Sequence, residues 1–385
     1  MKIALITTDN RGQFREYDKE APWFGMAPEA LLSGFTSLPE LEVHIISCIR
    51  RPVKAPEKLA DNIWFHSLHV PRIGWMRTLH QGCIRAVRKK LKEIQPDIVH
   101  GQGTEAEQAM CAALSGYPNV VTLLGIMREI AKIMHARPGS YGWMASLLES
   151  FALRRTAGVL CNSHFTEEKV RHRTPKTWLV PNAIRLPFFL KPLPAATPAR
   201  CVLLNVGTIF PLKRQNELLD VAEQLHAEGL AFELHFLGEA PNEPYAARFL
   251  GRIGNSSYLF YHGFKSMDEV IAQYDGSTAL VHVSAVESFG LAVAEALSRN
   301  LKFFGFKSGG VLDIATGVEG AELFEDCDWP GLKSAIAGWI RSGCPRPKTA
   351  ARVMRERFHP DEIARQHLEI YREVLSTTRY ENRKS

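Results

Sequence analysis

Short apolar runs alternate along the chain with segments whose apolar positions recur about every four residues. Runs at 2–7, 41–48, 97–100, 119–124 and 158–162 read as strands, and a second series follows at 201–206, 232–237, 258–262, 279–284 and 301–306. Between them, 215–228 and 267–274 carry helical periodicity. Near the end, Ile363, Ala364, Leu368, Ile370, Tyr371 and Leu375 line one face of a helix predicted over 361–375. Strand, helix, strand in repetition predicts an α/β fold of parallel sheets covered on both faces. The polar end, 379–385, reads as frayed.

The pattern breaks at 185–200, which holds Pro187, Pro192, Pro194 and Pro198. Proline at that density lacks N–H donors and fixes φ, so a stiff extended linker is expected there. With 385 residues, each side is long enough for its own core, giving domains at 1–185 and 186–360. The 45% hydrophobic and 23% charged content excludes a disordered, collagenous or coiled-coil chain. The first apolar run, Ile3 to Ile6, is too short for a signal core or a membrane span, so a cytoplasmic protein is expected. The seven cysteines are scattered without a CxxC spacing and read as reduced core thiols.

A net charge of +6 suits an anionic ligand or surface without choosing one. Part of it lies in 77–92, where Arg77, Arg85, Arg88, Lys89, Lys90 and Lys92 oppose Leu79, Cys83, Ile84, Val87 and Leu91. Such a helix lies on anionic lipid or forms an ordinary solvated face; Trp75 and Trp143 favour peripheral membrane contact. The basic residues do not interleave with aromatics, which argues against nucleic acid.

The segment with the most chemistry is Ser284-Ala-Val-Glu-Ser-Phe-Gly-Leu-Ala-Val-Ala-Glu-Ala-Leu297. It follows an apolar strand and opens a helix near Gly290, whose leading N–H groups would attract an anion. Gly290 permits close approach of a ligand. Glu287 precedes the helix, and Glu295 lies five residues in, about 7 Å along the axis. A nucleotide sugar fits this spacing: diphosphate at the helix end, Glu287 on sugar hydroxyls, Glu295 on the ribose. The same residues also fit a structural account in which Glu287 favours the positive helix end and Glu295 is solvated.

This segment is similar to the Glu-x7-Glu motif of family-four retaining glycosyltransferases, whose GT-B architecture has two facing Rossmann-like domains. Asn205-Val-Gly-Thr-Ile-Phe-Pro-Leu-Lys213 resembles the family's phosphate-binding strand and loop, and Val180-Pro-Asn-Ala-Ile184 its Val-Pro-Asn-Gly-Val. Phe236-Leu-Gly238, His262-Gly263, Gly309-Gly310 and Glu319-Gly320 also fall where the family has such residues. Phe358 through Tyr371 resembles its closing helix, which crosses back so that 361–378 would join the N-terminal, acceptor-side domain. The resemblance implies transfer, with retention and without a metal, from a UDP- or GDP-sugar to a carbohydrate or lipid-linked acceptor, in cell-surface polysaccharide or glycolipid assembly. By it, Glu287 contacts the donor sugar, Lys213 neutralises the departing diphosphate, and Glu295 holds the ribose. The loops carrying Gly207, Thr208, Gly263, Ser288, Phe289, Gly290 and Leu291 surround the donor, and Gly25 lies in the loop near the phosphates and acceptor.

The chain departs from that family at three places. Thr208 stands where an arginine is usual, leaving Arg214 as a substitute or a solvated residue. Leu124 replaces a histidine before Gly125, and leucine can neither hydrogen-bond a hydroxyl nor relay a proton. Asn300 replaces a glycine, which should cost little. Leu124 and Thr208 motivate a second reading, a catalytically impaired protein that binds nucleotide sugars or a partner. A distant third comes from Gly101-Gln-Gly-Thr-Glu-Ala106, which mimics a dinucleotide fingerprint of an NAD-dependent oxidoreductase but follows a late strand and lacks the acidic residue about 20 positions on. Asp326-Cys-Asp328 mimics a metal-binding pair and reads instead as solvated loop charge.

Overall fold

The computed structural model describes the whole chain except Arg15, Thr197, Asn255 and residues 383–385, with the backbone alone at 13–14 and 378–382. Two compact units emerge: residues 1–185 together with 358–385, and Leu186–Arg357.

In the first unit, the described strands are β1 (Lys2–Ile6), β2 (Glu42–Ile49), β3 (Lys58–Ala60), β4 (Ile63–His69), β5 (Ile98–Gln102), β6 (Asn119–Leu123), β7 (Gly158–Cys161) and β8 (Thr177–Leu179). They form one sheet in the order β3-β4-β2-β1-β5-β6-β7-β8, parallel except at the β3–β4 edge. The inner strands are buried end to end, because helices cover both faces. One face packs on helix Met26–Phe35 and on the terminal helix Pro360–Asn382, with Phe35, Ile363, Ala364, Leu368 and Tyr371 in one cluster. The other face packs on helices Gln81–Ile94 and Gln108–Ala113.

The second unit holds β9 (Val202–Val206), β10 (Glu233–Leu237), β11 (Leu259–Tyr261), β12 (Ala279–His282), β13 (Lys302–Phe306) and β14 (Ala321–Phe324), all parallel, in the order β11-β10-β9-β12-β13-β14. The chain winds outward from β9 to β11 and then resumes on the other side at β12. The gap between the carboxyl ends of β9 and β12 is therefore a topological switch point, the place where open α/β sheets receive ligands.

All ten predicted runs are strands, and four further strands, β3, β4, β8 and β14, were not anticipated. The proline-rich stretch is not wholly extended. Pro187–Leu190 forms a helical turn with proline at its first position, where its fixed φ suits a helix start. Phe188 and Phe189 anchor it in the second unit, and buried Arg299 donates to the carbonyls of Phe188, Lys191 and Pro192 while pairing with Asp275 at 2.8 Å. The terminal helix runs on to Asn382, so the predicted fraying from 379 gives way to helix, and 383–385 lie outside the described residues. All seven cysteines are free; five are buried, Cys201 is half-buried and Cys327 is exposed, which corrects the core assignment for Cys327. Among the described residues no helix is long and apolar enough to cross a membrane.

Candidate functional site

The short loop after β12 carries Glu287 and ends at Gly290, which takes φ +106° and caps helix Leu291–Ser298. The N–H groups of Val293 and Ala294 both turn to Gly290 O, at 2.9 and 3.2 Å, so Leu291 and Ala292 supply the leading donors of that helix. Gly310 packs directly under the loop: a Cβ there would collide with Ser288 O, and its N–H donates to Glu287 O at 2.9 Å. Phe289 points into the core at 2% exposure and fixes the loop from below.

The loop after β9 brings Lys213 to the same place. Ala285 N–H donates to Leu212 O at 2.8 Å, clipping the two loops together. Lys213 Nζ forms an ion pair with Glu287 Oε2, and buried His282 at the end of β12 reaches the same oxygen through Nε2 at 3.2 Å. Burial pulls the Glu287 carboxyl upward, but Lys213 and His282 outweigh it and hold it down at about 2. Burial also keeps His282 below the ordinary imidazole range. At neutral pH Glu287 is thus a carboxylate that accepts hydrogen bonds, and it has no proton to give. His282 was not identified from the sequence, although its position at a strand end five residues before Glu287 was the available signal.

The glycine loops align at the carboxyl ends of β9, β10 and β11. Gly207 N–H donates to Leu237 O at 2.8 Å and Gly238 N–H to Gly263 O at 3.0 Å, and a Cβ on Gly238 would collide with Gly207 O. Thr208 is exposed beside them, and Gly263, at φ +70°, has open space where a Cβ would stand.

Three sequence expectations change here. Arg214 is neither a solvated residue nor a second site cation: it pairs with Asp326 at 2.5 Å and lies over the Phe306 ring. Of the Asp326-Cys-Asp328 pair, Asp326 is exposed as expected of loop charge, whereas half-buried Asp328 caps helix Trp329–Arg341 by accepting from Gly331 N–H at 2.9 Å. Glu295 is not solvated either; it is 2% exposed. Asn300 adopts φ +55°, which explains the family's glycine, and asparagine is among the side chains that tolerate that region.

In the first unit, Gly25 has φ +88° and caps helix Met26–Phe35, with Asn10 Nδ2 3.3 Å from where a Cβ would lie. Leu124 stands half-buried just past β6. Beside it, the Glu105 carboxylate occupies the turn that resembled a dinucleotide fingerprint: it accepts from Thr104 N–H at 2.9 Å, and a Cβ on Gly103 would collide with it. A pyrophosphate entering that turn would meet a carboxylate, which disfavours the dinucleotide reading.

Residues 195–357 match the model of glycosyl transferases group 1, and residues 37–187 that of glycosyltransferase family 4. No curated protein sequence is a significant match to the chain. Among solved structures, sucrose-phosphate synthase from Thermosynechococcus elongatus is similar at TM-score 0.74 and 17% identity, covering 98% of this chain and 100% of that one. HepE of Anabaena in complex with UDP and glucose is similar at TM-score 0.70 and 16% identity, covering 97% and 100%. The catalytic domain of starch synthase IV from Arabidopsis thaliana, bound to ADP and acarbose, is similar at TM-score 0.70 and 12% identity, covering 97% and 99%. At these identities the structural likeness is one of fold. Each of the two α/β units is thus matched by a glycosyltransferase model, and the fold is the GT-B fold of glycosyltransferases.

Proposed function

We propose that the protein transfers a hexose from a nucleoside-diphosphate sugar, UDP- or GDP-linked, to a carbohydrate or lipid-linked acceptor with retention of configuration. The observation that carries this reading is the Lys213–Glu287–His282 cluster at the head of helix Leu291–Ser298, on the switch point of the second sheet. The diphosphate would lie against the leading N–H groups of that helix and the open loops at Gly207, Thr208 and Gly263. Lys213 would leave Glu287 to neutralise the diphosphate as the C1–O bond breaks, and Glu287 would accept from sugar hydroxyls. Glu295 would bind the ribose, reached by a side-chain movement from its buried position. Gly25, heading its own helix, would serve the phosphate and acceptor side. No metal takes part in this proposed transfer, because Lys213 and the helix end supply the positive charge.

The acceptor setting we favour is the cytoplasmic face of a membrane, in polysaccharide or glycolipid assembly. Its support is the exposed Ile73 (77%) and Leu79 (44%) beside exposed Arg85, Arg88, Lys89 and Lys92 of helix Gln81–Ile94. UDP-sugars are the first donors to test, since HepE structures hold UDP-glucose. Titration calorimetry with UDP-, GDP- and ADP-sugars, coupled to release of nucleoside diphosphate, tests the reading. Binding of one donor class, weakened by Glu295→Ala, is expected. Binding of NAD alone overturns the transfer reading; donor binding without release over a broad acceptor panel leaves a binding protein instead.

A further inference from the structure

The first unit contains a buried set of donor groups that plays no part in the proposed transfer. His80, Cys83 and Glu107 are 2%, 0% and 1% exposed, and one donor atom from each lies within 4.8 Å of the others. His80 precedes helix Gln81–Ile94 and Cys83 sits in its first turn, while Glu107 caps the adjacent helix Gln108–Ala113. Neither ring nitrogen of His80 has a hydrogen-bond partner among the described residues, and Glu107 Oε2 has none either. Buried polar atoms normally find partners, so an unpartnered imidazole and carboxylate oxygen beside a buried thiol require an explanation. His80 is also held at φ +60°, a left-handed backbone conformation uncommon outside glycine.

We propose that His80, Cys83 and Glu107 bind a divalent transition-metal ion, with zinc the preferred occupant, which ties helix Gln81–Ile94 to helix Gln108–Ala113. Imidazole, thiolate and carboxylate form a donor set that zinc uses, whereas magnesium and calcium require oxygen ligands. With bonds of about 2.0 Å to nitrogen and about 2.3 Å to sulfur, a tetrahedral ion holds its donors roughly 3.3–3.8 Å apart. The observed spacing, within 4.8 Å, would have to close by about 1.5 Å or less through side-chain rotation to reach that. Charge supports the same occupant. One thiolate, one carboxylate and a neutral imidazole around a dication sum to zero, which a low-dielectric interior tolerates. Cys48, whose thiol interacts with Cys83, is available for a fourth position. Without an ion, burial holds Glu107 up at about 7 and His80 down at about 4, so the imidazole is neutral and able to ligate.

The test uses the full chain purified from zinc-replete medium without a histidine tag. Elemental analysis is expected to find about one zinc per chain. Stripping with a chelator should lower the melting midpoint, and added Zn2+ but not Mg2+ should restore it. Cobalt reloading should produce a thiolate-to-metal charge-transfer band that Cys83→Ser abolishes. Glu107→Gln and His80→Ala should reduce the metal content with an unchanged circular dichroism spectrum. If a variant fails to fold, stripping and reloading of the unaltered chain decides the matter. No zinc after replete growth together with an unmoved melting midpoint overturns the proposal. So does zinc retained in full by all three variants, which would place the ion elsewhere.

Discussion

At the carboxyl end of β1, Asp9 and Arg11 pair at 2.6 Å with both side chains fully buried, and Arg11 also donates to the carbonyls of Lys19, Glu20 and Lys54. At the carboxyl ends of β9 and β12, Lys213 and Glu287 pair with 28% and 19% of their side chains exposed. Both pairs sit at the switch point of a parallel sheet. In the first unit every guanidinium nitrogen is engaged, by Asp9, by the carbonyls of Lys19 and Glu20 and by that of Lys54 43 residues on, so the pair braces the chain. In the second, the pair is held by loops but partly open to solvent, so in the proposed transfer a phosphate would compete for the lysine. Topology supplies the location; solvent access decides whether charge there can be reached from outside.

The sharpest way to break this contrast is Arg11→Ala, which leaves Asp9 buried and uncompensated. A loss of about 3–5 kcal/mol is expected in denaturant unfolding. Wild-type stability would show that the pair does not brace the loop. Lys213→Ala should do the reverse: donor turnover falls about 10²-fold or more, while stability changes by about 1 kcal/mol or less. A large stability loss with turnover intact would make the two pairs alike.

Acid provides a third probe. The Glu287 carboxyl is held at about 2 against an ordinary 4.5, so its contribution to stability is complete above 4.5 and is lost as pH falls toward 2. Glu287→Gln should therefore flatten the decline of melting midpoint across that window, and parallel profiles for the two proteins would refute the ion pair's role. The smallest effect is expected of Leu124→His. An imidazole there would lie near Glu105 and should raise donor hydrolysis modestly; a folded variant with no gain would show that the site has no use for a histidine at that place.

Most of the ten strands that could be read in advance are inner strands with short apolar runs, and β11, a partly buried edge strand, was legible from its aromatic residues. β4 escaped because Ile63-Trp-Phe-His-Ser-Leu-His69 mixes polar positions into a strand near the sheet edge, and β14, Ala321–Phe324, is only half-buried. The turn at Pro187 was hidden because proline both ends helices and starts them. At the site, Glu287 and Gly290 were legible since strand, loop and helix are contiguous there. The partnership of Arg214 with Asp326 was not, because 112 residues separate them and nothing local in either sequence specifies the other. The burial of Glu295 likewise depends on packing that periodicity alone does not describe.

The terminal helix has a consequence for biosynthesis. Its residues Ile363, Ala364, Leu368 and Tyr371 complete the hydrophobic cluster built on β1, β2 and Phe35, near the start of the chain. During translation the second unit has all of its own residues once Arg357 has emerged, whereas the first must wait with one face of its sheet unsealed until the final helix is made. The portion synthesised first is thus the last to mature, and a ribosome that stalls before residue 360 releases a chain with that greasy surface bare, a natural client for chaperones and proteases.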